Sequence, residues 1–293
     1  MKFERLALIG CGLMGGSFAL ALRQVGLVTQ VAGFSASEAT RQKALKLGVI
    51  DSACSSAAEA VQGADLVLVA VPVRATEDTL RTIDPVLSHD ALLMDVGSTK
   101  GDVVAAARKT LKNRLPNFVP AHPIAGKEVA GIEHADATLY RERQVILTPL
   151  PENPAERVLL AHQVWQALGS RVLELSPEAH DASFAAVSHM PHLAAFALVN
   201  AVARQPHGAQ HLSMAGPGFR DFSRIAASDP NVWRDILLAN RNEVLHQSAL
   251  MREALHEFEA AIQAGDPDRL HALIAEASQT RSRWRLGGAD SDV

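Results

Sequence analysis

The stretch Gly10-Cys11-Gly12-Leu13-Met14-Gly15 follows directly on the apolar run Leu6-Ala7-Leu8-Ile9, which puts a G-x-G-x-x-G turn between a first strand and a first helix. In such a turn Gly10 permits the tight reversal and Gly12 lets the backbone approach a pyrophosphate. Gly15 allows the helix to pack closely on the strand, and the phosphates rest on the positive helix N-terminus. The string is short. Its place in the first unit of a chain that keeps alternating apolar strands with helical stretches makes it a dinucleotide site candidate.

At 293 residues the chain is long enough for two domains, each with its own core. Hydrophobic residues make up 48% and charged residues 20%, and the net charge of −4 provides no basic field for wrapping nucleic acid. The two cysteines, Cys11 and Cys54, are too few for a disulfide framework and lack metal-ligand spacing, which fits a reducing cytoplasm and no metal site. Leu8-Ile9-Gly10-Cys11 resembles a lipoprotein cleavage site, but the apolar run before it is shorter than a secretory core of about 7–15 residues. No later run is expected to approach the ~20 apolar residues of a membrane span.

From Lys2 to about Pro177 strands are expected near Arg5-Ile9, Gln30-Phe34, Leu66-Val71, Leu92-Val96, Asn117-Val119, Gln144-Thr148 and Arg171-Leu175. Helical patterns lie between them at Met14-Val25, Glu38-Leu47, Ala75-Leu87, Gly101-Leu111 and Ala155-Leu168. This alternation predicts an α/β domain with a doubly wound, mostly parallel sheet whose ligands sit beyond the carboxyl ends of the strands. After Ser176 the strand signals stop. The remainder reads as helices, with a long one from about Val232 to Ala264 and a last one opened by Asp266-Pro267. The domains are therefore 1–176 and 177–293, and the apolar faces of the second call for a homodimer, with a self-contained helical bundle as the alternative.

In NAD-selective sheets an acidic residue ends the second strand, about 20 residues past the glycine turn, and binds the ribose 2′-hydroxyl. Here the strand ends Gly33-Phe34-Ser35, so no carboxylate repels a 2′-phosphate, and Ser35, Ser37, Thr40 and Arg41 offer donors. NADP or dual use follows. Ser35 with Glu38 also fits a capping box, and Arg41 also fits a solvated helix position. The candidate cofactor contacts are Gly10, Gly12, Leu13, Met14, Gly15, Ser35, Arg41, Val71, Pro72 and Ser98.

Asp95-Val96-Gly97-Ser98-Thr99-Lys100 ends one strand and precedes a helix, placing Ser98 at the nicotinamide end of the cleft or, alternatively, at a helix cap. Ala121-His122-Pro123-Ile124-Ala125-Gly126 holds a histidine on the ligand edge of the sheet, with a ring able to take a proton near neutral pH. In Ser188-His189-Met190-Pro191-His192 two further histidines begin a helix and can close the cleft from the other side. Arg220 and Arg224, one helical turn apart, suit an acidic substrate through bidentate pairing; ion pairs with Asp221, Asp229 or Asp235 are the alternative.

Together GCGLMGGS, DVGSTK, AHPIAGKE, SHMPH and GFRDFSRIAASDPNVWRDI resemble, in order and over nearly the whole chain, the prephenate and arogenate dehydrogenases of tyrosine biosynthesis, also called cyclohexadienyl dehydrogenases. The resemblance implies a Rossmann-type nucleotide-binding domain joined to an all-helical dimerisation domain with the active site between them. It also implies NAD(P)-dependent oxidative decarboxylation of a cyclohexadienyl acid. His122 then polarises the ring hydroxyl and Ser98 contacts this histidine and the reacting end. On the substrate side it places His192, Arg224 for a carboxylate, Glu128 at the cleft edge and Arg220 where a basic residue is usual. NAD-preferring members carry aspartate where Ser35 lies, which again favours NADP or dual use. Rival readings are a β-hydroxyacid dehydrogenase or imine reductase, whose second-domain lysine this helical domain lacks, and a dinucleotide sensor without chemistry.

Overall fold

The computed structural model describes residues 1–127 and 129–285. Strands β1 (Phe3–Ile9), β2 (Val28–Phe34), β3 (Ser52–Ala53), β4 (Leu66–Val69) and β5 (Leu92–Asp95) form a parallel sheet in the order β3-β2-β1-β4-β5. Helices α1 (Leu13–Gln24), α2 (Glu38–Lys46), α3 (Ala57–Val61), α4 (Thr76–Ile83) and α5 (Gly101–Thr110) connect them. Strand side chains alternate between faces, so one strand feeds two cores. Leu6, Leu8, Leu66, Leu68 and Met94 pack on one side with Phe18 and Trp165, while Ala7, Ile9, Val67, Val69 and Leu93 pack on the other with Leu80 and Ile83.

A second sheet, in the order β6-β7-β8, comprises β6 (Ala121–Pro123), β7 (Gln144–Leu147) and, after helix α6 (Ala155–Ala167), β8 (Arg171–Glu174). β6 runs antiparallel to β7, and β7 parallel to β8. This corrects the expectation of a single sheet with a strand at 117–119. Phe118 makes only an isolated bridge to Leu93, because Pro116 and Pro120 lack amides and stop a ladder from propagating. The short β3 and α3 were also absent from the sequence reading, being too brief to show a period.

Among the described residues all elements from Pro177 onward are helical: α7 (Pro177–Phe184), α8 (Met190–Ala203), α9 (Gly208–Ser213), α10 (Pro217–Ser223), α11 (Pro230–Ala239), α12 (Arg241–Ala264) and α13 (Pro267–Arg283). A wide π turn over Ala185–His189 joins α7 to α8. Pro191 cannot donate the amide that would bond the carbonyl four residues back, and the helix widens there instead of breaking. The continuous helix Pro177–Ala203 is long and apolar enough to cross a membrane by length and composition, contrary to the expectation that no run approaches a span. Two of its polar residues, His180 and Asp181, are nevertheless buried against the sheet domain. The long helix expected over 232–264 divides at Asn240. The buried Asn240 amide donates to the Asp181 carbonyl at 2.8 Å, and this tertiary bond replaces helical continuity.

One buried ion pair fixes where β6 begins. The Asp95 carboxylate, at the end of β5, accepts from the Ala121 amide (2.9 Å), the Gly97 amide (2.8 Å) and the Lys100 ammonium (2.5 Å). Lys100 Nζ also donates to the Ala121 carbonyl at 2.8 Å, and its side chain is fully buried. Ala121 is thus gripped at both backbone groups, one residue before His122. Lys100→Met should strand the Asp95 charge in the interior and lower unfolding stability by ~3–5 kcal/mol. Asp95→Asn combined with Lys100→Met should recover part of that loss. Urea denaturation checks both, and a single mutant as stable as the parent would show that the pair holds nothing.

Candidate active site

The glycine turn builds a nucleotide cradle. Gly10 has φ +106°, and a Cβ there would lie 2.1 Å from the Ala70 carbonyl oxygen; one at Gly15 would lie 2.3 Å from the Gly10 carbonyl oxygen. A Cβ on Gly12 meets nothing within 4 Å, so this position opens onto free space. Gly12 is also the N-cap of α1 and supplies no side-chain acceptor, so the first-turn amides are suited to phosphate oxygens. Gly10, Gly12, Ser35, Val71 and Pro72 line a cavity of about 640 Å³ at the carboxyl ends of β1, β2 and β4. The residues present therefore fit a dinucleotide.

Leu13 is buried and Met14 lends its carbonyl to the Tyr140 hydroxyl at 2.6 Å, so both serve the cradle as its supporting turn. The cap of α2 is Ser37, whose hydroxyl accepts from the Thr40 amide, and Ser35 lines the cavity instead of capping. Arg41 is committed to its own turn: it donates to the carbonyls of Ser35 (2.5 Å) and Ala36 (3.5 Å), with its guanidinium 5.7 Å from the Phe34 ring centre. The cation that lines the cavity is Lys43, which the sequence reading missed. Its spacing with Ala39 and Thr40 along one face of α2 was the available signal. Its ammonium meets the Glu133 carboxylate at 2.9 Å.

His122, half-buried on β6, meets His180 of α7, with 2.8 Å between Nδ1 and Nε2. The other nitrogen of His180, Nδ1, lies 2.8 Å from Asp181 Oδ1. Asp181 in turn accepts from the amides of Lys100 and Gly101, each at 2.8 Å, and so caps α5 from a distant part of the chain. Phe184 packs on both imidazoles, 4.8 Å from His122 and 4.5 Å from His180 between ring centres. Burial, then the neighbouring His180, Lys100 and His189, hold the His122 pKa well below its usual value, so its ring is neutral at pH 7. Burial likewise lowers His180. For Asp181 burial pushes upward, but hydrogen bonds from His180 and the Gly101 and Lys100 amides outweigh it and keep the carboxyl ionised. Ser98 sits half-buried in the turn between β5 and α5, and the cap of α5 comes from Asp181, not Ser98.

A larger cavity of about 960 Å³ is lined on one side by Ala125, Gly126, Lys127, Val129 and Ala130, in the loop after β6, and on the other by His192, Arg224, Asp229 and Trp233 of the helical part. Residues 125–127 and 129–130 border this cavity and 131–133 the nucleotide cavity. His192 stacks on Trp233 with ring centres 3.5 Å apart, and its Nδ1 lies 3.0 Å from the Ser188 carbonyl oxygen. Trp233 carried no sequence signal beyond an apolar helix position. His189 does not reach this cavity: it is buried beside Asn240, and burial above all lowers its pKa to about 4. Arg220 pairs with Asp221 at 2.9 Å in an exposed position away from the cleft lining, whereas Arg224 faces the cleft. Glu128 lies outside the described residues. The arrangement unites a nucleotide cradle, a neutral imidazole on a hydrogen-bonded chain and an arginine suited to a carboxylate.

Comparison with known proteins identifies the family of this chain. Residues 18–174 match the model of the prephenate dehydrogenase nucleotide-binding domain, and residues 176–276 that of the prephenate dehydrogenase dimerization domain. The cyclohexadienyl dehydrogenase of Zymomonas mobilis is 35% identical, with 95% of each chain covered. The crystal structure of A. aeolicus prephenate dehydrogenase in complex with hydroxyphenyl propionate and NAD+ superposes with a TM-score of 0.89 at 35% identity, covering 96% of this chain and 98% of that one. Synechocystis arogenate dehydrogenase superposes with a TM-score of 0.83 at 26% identity, covering 96% of this chain and all (100%) of the other. With both domain models matched in order across most of its length, the chain belongs to the prephenate dehydrogenase family.

Proposed function

We propose that this chain is an NAD(P)-dependent dehydrogenase that oxidatively decarboxylates prephenate, arogenate or both, a step in tyrosine biosynthesis yielding 4-hydroxyphenylpyruvate or tyrosine. The observation that carries the reading is the neutral His122 imidazole, held at the end of the Asp181–His180 chain in a half-buried position next to the loop that borders both cavities. Bound NAD(P)+ supplies the hydride acceptor. His122 takes the proton of the ring C4 hydroxyl as hydride leaves C4; loss of CO2 then aromatises the ring, and the phenolate oxygen takes the proton back. Arg224 pairs with a substrate carboxylate, His192 lies against the substrate from its Trp233 stack, and Ser98 supports His122 at the reacting end. Residues 1–176 serve as the nucleotide-binding domain and 177–293 as the substrate and dimerisation domain.

On the cofactor, Ser35 leaves the second strand without a carboxylate and Lys43 adds a cation to the same cavity, which favours NADP or dual use. A homodimer follows from the exposed apolar side chains of α12, with Leu245 61% and Ile262 64% exposed. The resulting enzyme works in the cytoplasm on a small molecule, away from nucleic acid and membrane.

Absorbance of the reduced nicotinamide, followed with prephenate and arogenate, each with NAD+ and NADP+, should rise for at least one pair; a flat trace in all four from folded protein removes this reading. His122→Asn should lower kcat by about 10²–10⁴-fold and leave cofactor affinity unchanged. The acid limb of kcat/KM in the parent should fall below the ordinary histidine value of about 6.5, because His122 stays neutral there. Lys43→Ala should raise KM for NADP+ by about tenfold, equivalent to ~1.4 kcal/mol, and that for NAD+ less than twofold. Equal effects on both cofactors would take Lys43 out of 2′-phosphate recognition. Sedimentation equilibrium should give twice the chain mass, whereas a monomer at micromolar concentration would overturn the dimer.

A further inference from the structure

His122 has two ring nitrogens, and only one can face a substrate. Its Nδ1 is occupied by His180 Nε2 at 2.8 Å, so any substrate hydroxyl must meet Nε2. A neutral imidazole can accept a proton at Nε2 only if its own proton sits on Nδ1. Which tautomer exists is therefore decided behind the ring.

The chain behind it permits one answer. Asp181 already accepts from two backbone amides, so its oxygens act as acceptors and His180 must direct Nδ1–H toward it. His180 Nε2 is then a lone pair, and the hydrogen bond to His122 exists only if His122 Nδ1 donates. We infer that His180 and Asp181 are positioning residues, which lock His122 in the Nδ1–H tautomer, aim its Nε2 lone pair at the substrate hydroxyl and share the charge of the imidazolium formed when that proton arrives. This deepens, and rests on, the dehydrogenase reading above. The logic is that of the aspartate behind the histidine in a Ser-His-Asp triad, with a second imidazole inserted between them.

The surroundings favour the chain as the route for that charge. Of the charged groups packed around it, Lys100 at the N-cap of α5 is neutralised by Asp95 of β5, and His189 of the π turn is held neutral by burial and bonded to Asn240. Asp181 is the one carboxylate hydrogen-bonded to this chain among the described residues, and the N-terminus of α5 holds it ionised. The proton moves from the substrate oxygen to His122 Nε2 and returns to the phenolate oxygen after CO2 leaves. No proton is lost to solvent, so the chain has only to stabilise a transient cation.

The test joins a spectrum to a kinetic rescue. ¹⁵N-histidine NMR of the whole protein at neutral pH, assigned with His122→Asn and His180→Gln, should show both rings protonated at Nδ1. His180→Leu should reduce kcat by about 10²–10³-fold with KM changed less than twofold. His180→Gln, whose amide oxygen accepts from His122 Nδ1, should recover at least about tenfold of that loss. A His122 ring protonated at Nε2 overturns the inference, as does a leucine variant with parental kcat or a glutamine variant no better than leucine. If the leucine variant does not fold, the tautomers of the parent decide the matter. Should the parent turn over none of the four substrate and cofactor pairs, the dehydrogenase reading fails, while the tautomers still judge the hydrogen-bond chain.

Discussion

The junction between β5 and α5 depends on two carboxylates, and the rest of the site depends on that junction. Asp95 is buried with Lys100 and together they hold both backbone groups of Ala121. Asp181 reaches across from the helical domain and caps α5 at Lys100 and Gly101. Buried charge is costly unless paired and fully hydrogen-bonded, and here each carboxylate finds several donors. One pair sets the position of His122 in the sheet domain; the other sets the position of His180 in the helical domain. The two histidines meet because both domains are registered on the same short turn.

This explains why His122 sits where the domains meet and not deep in either one. β6 is a three-residue strand and would be a weak support alone. The ion pair in front and the imidazole behind supply the rigidity that its length does not. Residues 125–127 and 129–130 border the larger cleft and 131–133 the nucleotide cradle, so the segment that follows His122 adjoins both cavities.

Much of the site was legible because its signals are local. The glycine turn, the missing carboxylate at Ser35, the strand-end His122 and the apolar alternation all follow from spacing along the chain, and the matched domains and relatives agree with the family that these motifs resemble. Less legible was which of two similar residues a site would use, since that is settled by packing and by which partner each side chain finds. His189 and His192 share one motif, yet a π turn and Asn240 bury the first and leave the second in the cleft. Arg220 and Arg224 are a turn apart, yet one pairs with its neighbour Asp221 and the other faces the cavity. Arg41 was expected at the cavity, but its guanidinium bonds carbonyls in its own turn, and Lys43 lines the cavity.

The sequence by itself determined the parallel sheet, the phosphate cradle and the change to helices after the last strand, because hydrophobic period and glycine placement act within a few residues. Only the tertiary structure decided that Asp181 caps a helix eighty residues earlier in the chain, that His180 stands behind His122 and that Asn240 divides a helix. The first two are hydrogen bonds between groups brought together by domain docking, and the third joins two parts of the helical domain. No local periodicity encodes them, since the partner of a buried polar group is whichever complementary group the fold brings within reach.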